Sequence, residues 1–331
     1  MTTTINVAAR MADIMTRIKL PVIAAPMLRV SGPELVTAVC RQGAIGAFPT
    51  ANARTVQELD EWLSRIEADL AQTPGAAPYC PNLIIRNPRM QEDLDCLVRH
   101  KVEMVITSVG SPAEVVGPLH EIGCLVFADI ATVTHARKAI RAGADGLVLL
   151  TAGAGGQTGW ANGMAFVRAV REFFDGPLVM AGGISDGTAL LAAQVLGCEF
   201  GYMGTKLIPT HESMASEGYK KMLVESSLDD VMLTRAFTGL DTNMLRPSIQ
   251  AAGLDPATLM ETISQEEARK VFGAGKDAAH GPKRWKDIWS AGHSVSGVQE
   301  IAGAADVLAQ TQAEYAAARA DMARRLAPAQ G

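Results

Sequence analysis

No stretch of this chain approaches the roughly 18 consecutive apolar residues of a membrane span, and its opening residues, MTTTINVAARMADIM, lack the apolar core of a secretory signal. A cytoplasmic protein that does not engage a membrane is therefore expected. Long runs of one charge are also missing: 30 basic and 35 acidic side chains leave −5, well spread, so nothing matches the field of a nucleic acid. That leaves a small molecule as the expected partner. Cysteine is sparse. Cys40, Cys80, Cys96, Cys124 and Cys198 are odd in number, form no CxxC and have no His at metal-ligand spacing, which points to free buried thiols rather than a structural zinc site. No metal is assigned. No GxGxxG follows the first apolar run, which removes the mark of an open doubly wound dinucleotide-binding sheet.

What is present is apolar material in short pieces. Hydrophobic residues make up 48% of the 331, enough for a large core. Eight candidate strands recur at 21–27, 44–48, 82–85, 102–109, 124–130, 145–150, 177–183 and 198–204. Amphipathic stretches lie between most of them, including Pro33 to Gln42, Val56 to Ala71, Pro112 to Glu121, Thr134 to Ala142, Ala161 to Phe174 and Gly187 to Leu196. Several close on a glycine, as in RQGAIG, EIGCLV, RAGADG and VLGCEF. Eight βα units in succession predict an α/β chain with a (β/α)8 TIM barrel, residues 1–205. Residues 206–288 read as polar and helical with no obvious strand, a lid inserted between the eighth strand and the last barrel helix. Residues 289–331 return to the barrel with a final helix, Val298 to Leu308, and a separate tail helix, Thr311 to Arg325.

A barrel builds its site from the loops at the carboxyl ends of its strands and often holds phosphate after the seventh and eighth. Here those loops are AGGISDG at 181–187 and MGTK at 203–206, where bare N–H groups of Gly182, Gly183, Gly204 and Thr205 can converge on an anion. The loop after the sixth strand, AGAGGQTG at 152–159, lets Ala154, Gly155 and Gly156 approach a flat ligand and puts Gln157 at the mouth. Ala25, Pro26 and Met27 end the first strand and could offer a peptide edge to a heteroaromatic ring. Asn82, read as opening the third strand, could offer a carboxamide, although beside Pro81 it is equally a turn residue. Asp186 reads as a helix-start acid and Asp145 as a strand-start acid. His100, His120, His135 and His280 read as structural, and His211, which could face the ligand, reads rather as a helix-start residue at the lid hinge.

Together APM, Asn82, AGAGGQTG, AGGISDG, MGTK and WSAG at 289–292, in order across about residues 20–310, resemble the nitronate monooxygenase family. The resemblance implies an FMN-dependent barrel with a lid, with FMN phosphate against Gly182, Gly183, Gly204 and Thr205. It also implies an isoalloxazine contacted from Ala25, Pro26, Met27 and the loop at 152–159, with Asn82, Asp129 and Ser290 nearby. The implied reaction oxidises an alkyl nitronate, with O2 or another acceptor, to a carbonyl compound and nitrite. The alternative is an NAD(P)H-dependent reductase of quinones or enoyl thioesters on the same scaffold; a homodimer is left open. A barrel without flavin finds no support: no cysteine is placed as an inosine-monophosphate-dehydrogenase-like nucleophile, and Lys206 sits on the phosphate loop rather than on a strand as a Schiff-base lysine would. A catalytically silent flavin binder stays open.

Two departures matter. Gln157 stands where the family's loop carries His, and a carboxamide hydrogen-bonds but exchanges no proton near neutral pH. Asp129 stands on the fifth strand where the family often has Lys. His293, directly after WSAG where many relatives carry Gln, is a candidate for restoring the lost imidazole from the other side of the pocket, with a surface role as the competing reading. Gln157 and His293 are accordingly the candidate catalytic residues.

Overall fold

Side chains alternate inward and outward along each strand, and in a closed barrel that alternation sets which residues fill the interior. The computed structural model describes residues 5–273 and 281–327. Among these residues the strands are β1 (Val22–Ala24), β2 (Ile45–Pro49), β3 (Tyr79–Ile84), β4 (Met104–Ser108), β5 (Leu125–Ile130), β6 (Gly146–Leu150), β7 (Gly156–Gln157), β8 (Leu178–Ala181), β9 (Phe200–Met203), β10 (Val231–Thr234) and β11 (Thr242–Leu245). Parallel pairing runs in the order β1-β2-β3-β4-β5-β6-β8-β9, and Ile23 closes the ring by lying opposite both Ile45 and Tyr202.

The helices are α1 (Val7–Met15), α2 (Pro33–Arg41), α3 (Val56–Ala71), α4 (Met90–Arg99), α5 (Ala113–Glu121), α6 (Val133–Arg141), α7 (Gly163–Arg171), α8 (Gly187–Leu196), α9 (Glu217–Glu225), α10 (Arg246–Ala251), α11 (Gln265–Phe272) and α12 (Ala304–Leu326). Capping side chains start several of them: Thr55, Thr132, Asn162 and Asp186 accept first-turn N–H groups of α3, α6, α7 and α8. Asp186 is thus the helix-start acid its position suggests. Met11 and Ile14 of α1 join Ile23, Ile45, Cys80 and Phe127 in the apolar barrel interior, so α1 plugs the end opposite the carboxyl-terminal loops.

Four details differ from the sequence reading. Asn82 does not open the third strand, which begins at Tyr79 and runs through Pro81; pairing with β4 starts only at Asn82, so the missing proline N–H falls before that ladder. The insertion is not wholly helical. β10 pairs antiparallel with β11, and β11 with β7, but at four residues each β10 and β11 are too short to show alternation amid polar helical sequence. The last barrel helix and the tail helix are one, α12, because no Gly or Pro interrupts residues 304–326; it starts after Gly303 and packs against α8 and α2. A cysteine also lies near a histidine: Cys96, His100 and Asp60 bring ligand-type atoms within 4.8 Å of one another where α3 meets α4. Their spacing is i,i+4 along one helix with the third residue on another, a pattern that motif searches along the chain pass over. Glu67 and Arg99 share that cluster through His100 Nδ1 (3.1 Å) and Asp60 Oδ1 (3.3 Å).

All five cysteines are buried and free. His120 bonds Asp145 at 2.9 Å, and Asp145 accepts the Val126 N–H at 2.8 Å, which ties α5 to the barrel. His280 lies outside the described residues. None of the described helices is long and apolar enough to cross a membrane.

Candidate active site

The period-2 rule predicts the floor of the site. Leu125 and Phe127 of β5 point into the barrel, so Asp129 is the next inward residue; Phe200 sets Tyr202 and Cys80 sets Asn82 in the same way. Carried around the ring, the uppermost inward positions are Ala25, Pro49, Asn82, Ser108, Asp129, Leu150, Ala181 and Tyr202. All eight line one cavity of roughly 260 Å³ at the carboxyl end of the barrel. Beneath them Ile23, Ala47, Cys80, Ile106, Phe127, Val148, Val179 and Phe200 are buried and exclude water.

Four floor residues are polar, and they fall into two kinds. Asn82 is anchored: its Nδ2 donates to Ile106 O at 3.1 Å and its Oδ1 accepts from Ser108 Oγ at 3.2 Å. Asp129 and Tyr202 are not anchored. Asp129 Oδ1 and the Tyr202 hydroxyl are closed off from solvent with no hydrogen-bond partner. Burial pushes the Asp129 carboxyl up to about 7 and holds the Tyr202 phenol well above its ordinary value.

The opposite wall is glycine. Gly182 has φ +115°, and a Cβ there would lie 2.3 Å from Thr151 Oγ1 and 2.7 Å from Ala154 N. Only glycine lets these two loops touch. Gly183 has φ +77° with open space where its Cβ would be. The loop at 152–159 is not flexible: β7 pairs Gln157 with Thr242 and Gly156 with Asn243, and the buried Asn243 Nδ2 donates to both Ala152 O (2.8 Å) and Ala154 O (2.7 Å). Thr205 Oγ1 accepts the Gly292 N–H at 2.9 Å, joining the β9 loop to the returning segment. The insertion closes the cavity with aromatics. Tyr219 donates to Ser290 O at 2.5 Å and stacks on Trp289 with ring centroids 5.1 Å apart, and Trp285 stands beside Gly156.

The structure gathers Ala25, Pro26, Met27, Asn82, Asp129, Ala154, Gly155, Gly156, Gln157, Gly182, Gly183, Gly204, Thr205 and Ser290 around this one cavity. His293 stands apart. Its backbone N–H donates to Gly153 O at 2.9 Å, but the residue is exposed and Ser294 lines the cavity in its place. The placement that would let it replace Gln157 is therefore missing. Ser108, Tyr202, Tyr219, Trp285 and Asn243 escaped the sequence reading, and Trp289 entered it only as part of WSAG. Strand alternation could have supplied Ser108 and Tyr202; the others depend on how the insertion folds back.

Comparison with known proteins places this geometry. A sequence profile of the family described as nitronate monooxygenase matches residues 58–314, from α3 into α12. The chain is 26% identical over 281 residues to a nitronate monooxygenase of Paraburkholderia phytofirmans, covering 71% of this chain and 76% of that one. It is 27% identical over 229 residues to a (3aS,4S,5R,7aS)-5-hydroxy-7a-methyl-1-oxo-octahydro-1H-indene-4-carboxyl-CoA dehydrogenase of Rhodococcus jostii, covering 69% of this chain and 63% of that relative's length. Among solved structures, a nitroalkane oxidase from Streptomyces ansochromogenes superposes with a TM-score of 0.75 at 25% identity over 95% of this chain and 99% of the other. The profile match runs from α3 through β9 of the barrel and its insertion into α12, and the chain is an oxidoreductase belonging to the nitronate monooxygenase family.

Proposed function

We propose that the cavity binds FMN and serves the oxidation of alkyl nitronates to a carbonyl compound and nitrite. The residues present fit such a cofactor. Gly182, Gly183, Gly204 and Thr205 offer a phosphate backbone N–H groups without side-chain bulk; Ala25, Pro26, Met27 and the loop at 152–159 offer a ring flat apolar walls. The floor supplies donors with no partner of their own. Bound FMN supplies the electron-transfer chemistry and the access to O2. The protein's part is to position the donor, exclude water and handle protons.

The observation that carries the choice of substrate is an absence at the mouth. Among the described residues lining the cavity there is no His, Lys or Arg, and the ionisable ones are Asp129, Tyr202 and Tyr219. Gln157 can donate its amide N–H to an oxygen of a nitro or nitronate group but cannot remove a carbon-bound proton. A nitronate has already lost that proton and asks no proton transfer of Gln157, whereas a neutral nitroalkane needs a base, for which Asp129 is the one carboxyl in the described lining.

Mixing the protein anaerobically with propyl-2-nitronate, 2-nitropropane, NADH or NADPH in a stopped-flow instrument tests the reading. Bleaching of the flavin bands by the nitronate, clearly faster than by the nitroalkane, is the expected result; equal rates with both would remove the role given to Gln157. A second reading, an NAD(P)H-dependent reductase of quinones or enoyl thioesters, is favoured by the relative named as a carboxyl-CoA dehydrogenase. The cavity rim also fits it: Leu28 and Val109 line the cavity while each stays 38% exposed, an apolar edge open to larger substrates. Rapid bleaching by NADH or NADPH alone would select it.

A further inference from the structure

Asp129 and Tyr202 raise a question that a stability role does not answer. A buried polar atom without a partner costs about 1–3 kcal/mol, and the barrel carries two of them on the same floor. Thr107, one position from the floor on β4, has its hydroxyl bonded to Phe127 O at 3.0 Å, and the two other buried side-chain oxygens without a partner among the described residues, on Thr37 and Thr50, do not line the cavity. The fold supplies no partner to Asp129 Oδ1 or the Tyr202 hydroxyl, and both residues line the cavity.

We propose that Asp129 and Tyr202 are a pair of proton-bearing donors reserved for the bound flavin ring, so that ionisation of Asp129 weakens flavin binding. The inference rests on the flavin reading above. The pyrimidine edge of a flavin ring carries two carbonyl oxygens and N1, which accept hydrogen bonds, and one N3–H, which donates; Asp129 and Tyr202 are set against the accepting atoms. A neutral carboxyl donates to them; a carboxylate, which only accepts, sets lone pairs against lone pairs. The surroundings of Asp129 agree. Ser108 on β4 and Leu150 on β6 flank it on the floor, and neither is ionisable. The titratable groups that feel it across the barrel are Tyr202 on β9 and Cys80 on β3, both held far above their ordinary values by burial. Asp129 itself is raised to about 7 by burial alone, with no cation opposing the shift. The sign follows. A carboxyl raised in the free protein and needed in its protonated form by the ligand binds best below that value and loses ligand as pH rises through it.

The test is riboflavin affinity of the flavin-stripped full chain, read by fluorescence quenching across a pH range centred on the Asp129 titration. Riboflavin lacks the phosphate, whose second ionisation near pH 6 would otherwise overlap. The wild-type dissociation constant should be flat on the acid side and rise about tenfold per pH unit on the alkaline side, the signature of one required proton. Asp129→Asn, which keeps the shape and a donor, should abolish the slope and stay near the acid-side value. Tyr202→Phe should keep the slope and bind several-fold more weakly at every pH. An infrared band of a protonated carboxyl in the wild-type complex at neutral pH, lost in Asp129→Asn, reads the same proton directly. A flat wild-type profile would overturn the inference while leaving the flavin reading intact, and so would an Asp129→Asn variant that keeps the slope, since the required proton would then sit on another group. Failure to bind any flavin at any pH would remove both.

Discussion

The two halves of the cavity recognise a ligand by opposite means. On the side of β6, β8 and β9 the wall is backbone: Ala154, Gly155, Gly156, Gly182, Gly183 and Gly204 present N–H and C=O groups with little or no side chain. On the floor from β3 to β5, and on Tyr202, recognition is by side chains set at alternate strand positions. The glycine side works by allowing close approach, so its contribution is steric and intolerant of added atoms. The floor works through hydrogen bonds, so its contribution depends on protonation and tolerates isosteric change. Substitutions on the two sides should therefore fail differently.

The largest effect belongs to Gly182→Val. Positive φ already costs a β-branched residue about 1–2 kcal/mol, and a Cβ 2.3 Å from Thr151 Oγ1 forces the two loops apart. Thermal melting should report a loss on the order of 3 kcal/mol or more, and FMN titration a loss of retention. Gly183→Ala is the control. Its φ of +77° carries the same backbone penalty, but the space is open, so a loss of about 1 kcal/mol with FMN still bound is expected. Equal damage at both positions would show that backbone strain, not loop contact, makes glycine necessary here.

Asn243→Ala comes next and tests what holds the glycine side in place. One carboxamide nitrogen bonds Ala152 O and Ala154 O, so its removal leaves two loop carbonyls short of a partner. A loss of about 2 kcal/mol is expected, with FMN affinity falling by roughly tenfold or more. Asn243→Asp should be at least as harmful, because a carboxylate cannot donate to either carbonyl. An unchanged FMN affinity in both variants would mean that β7 and β11 hold the loop without the side chain.

The glycine half was legible in the sequence because close approach leaves a compositional trace: AGAGGQTG, AGGISDG and MGTK could be placed from strand count alone. Asp129 and Asn82 entered only through family resemblance or as weak strand residues, since a lone polar residue in an apolar run carries no motif. Tyr202 was hidden in CEFGYMG for the same reason, although extending the alternation from Phe200 would have aimed it inward. Asn243, Tyr219 and Trp285 were out of reach. They act at the site only because the insertion folds back, and the short strands β10 and β11 that direct it carry too few residues to print a period. The eight strands were found because each is a buried apolar run bounded by turn residues, a pattern that burial on both faces imposes.

The smallest effect is expected at His293, and it decides whether the backbone half needs an imidazole at all. The residue is exposed, its N–H donates to Gly153 O, and its ring stands beside Gly153, where a Cβ would lie 3.3 Å from both His293 Nδ1 and Gly183 N. The backbone hydrogen bond survives truncation of the side chain. His293→Ala should therefore leave nitronate turnover within about twofold and stability within about 0.5 kcal/mol, as surface substitutions usually do. A drop in kcat of tenfold or more, with KM unchanged, would require the ring to reach the reacting atoms in the working enzyme. That outcome would also change the reading of Gln157, because an imidazole would then join Asp129 as a proton-exchanging group at the site and neutral nitroalkanes would become better substrates. A null result at His293 leaves Asp129 as the one carboxyl group among the described residues lining the cavity, and with it the expectation that the pH dependence of the protein belongs to the floor.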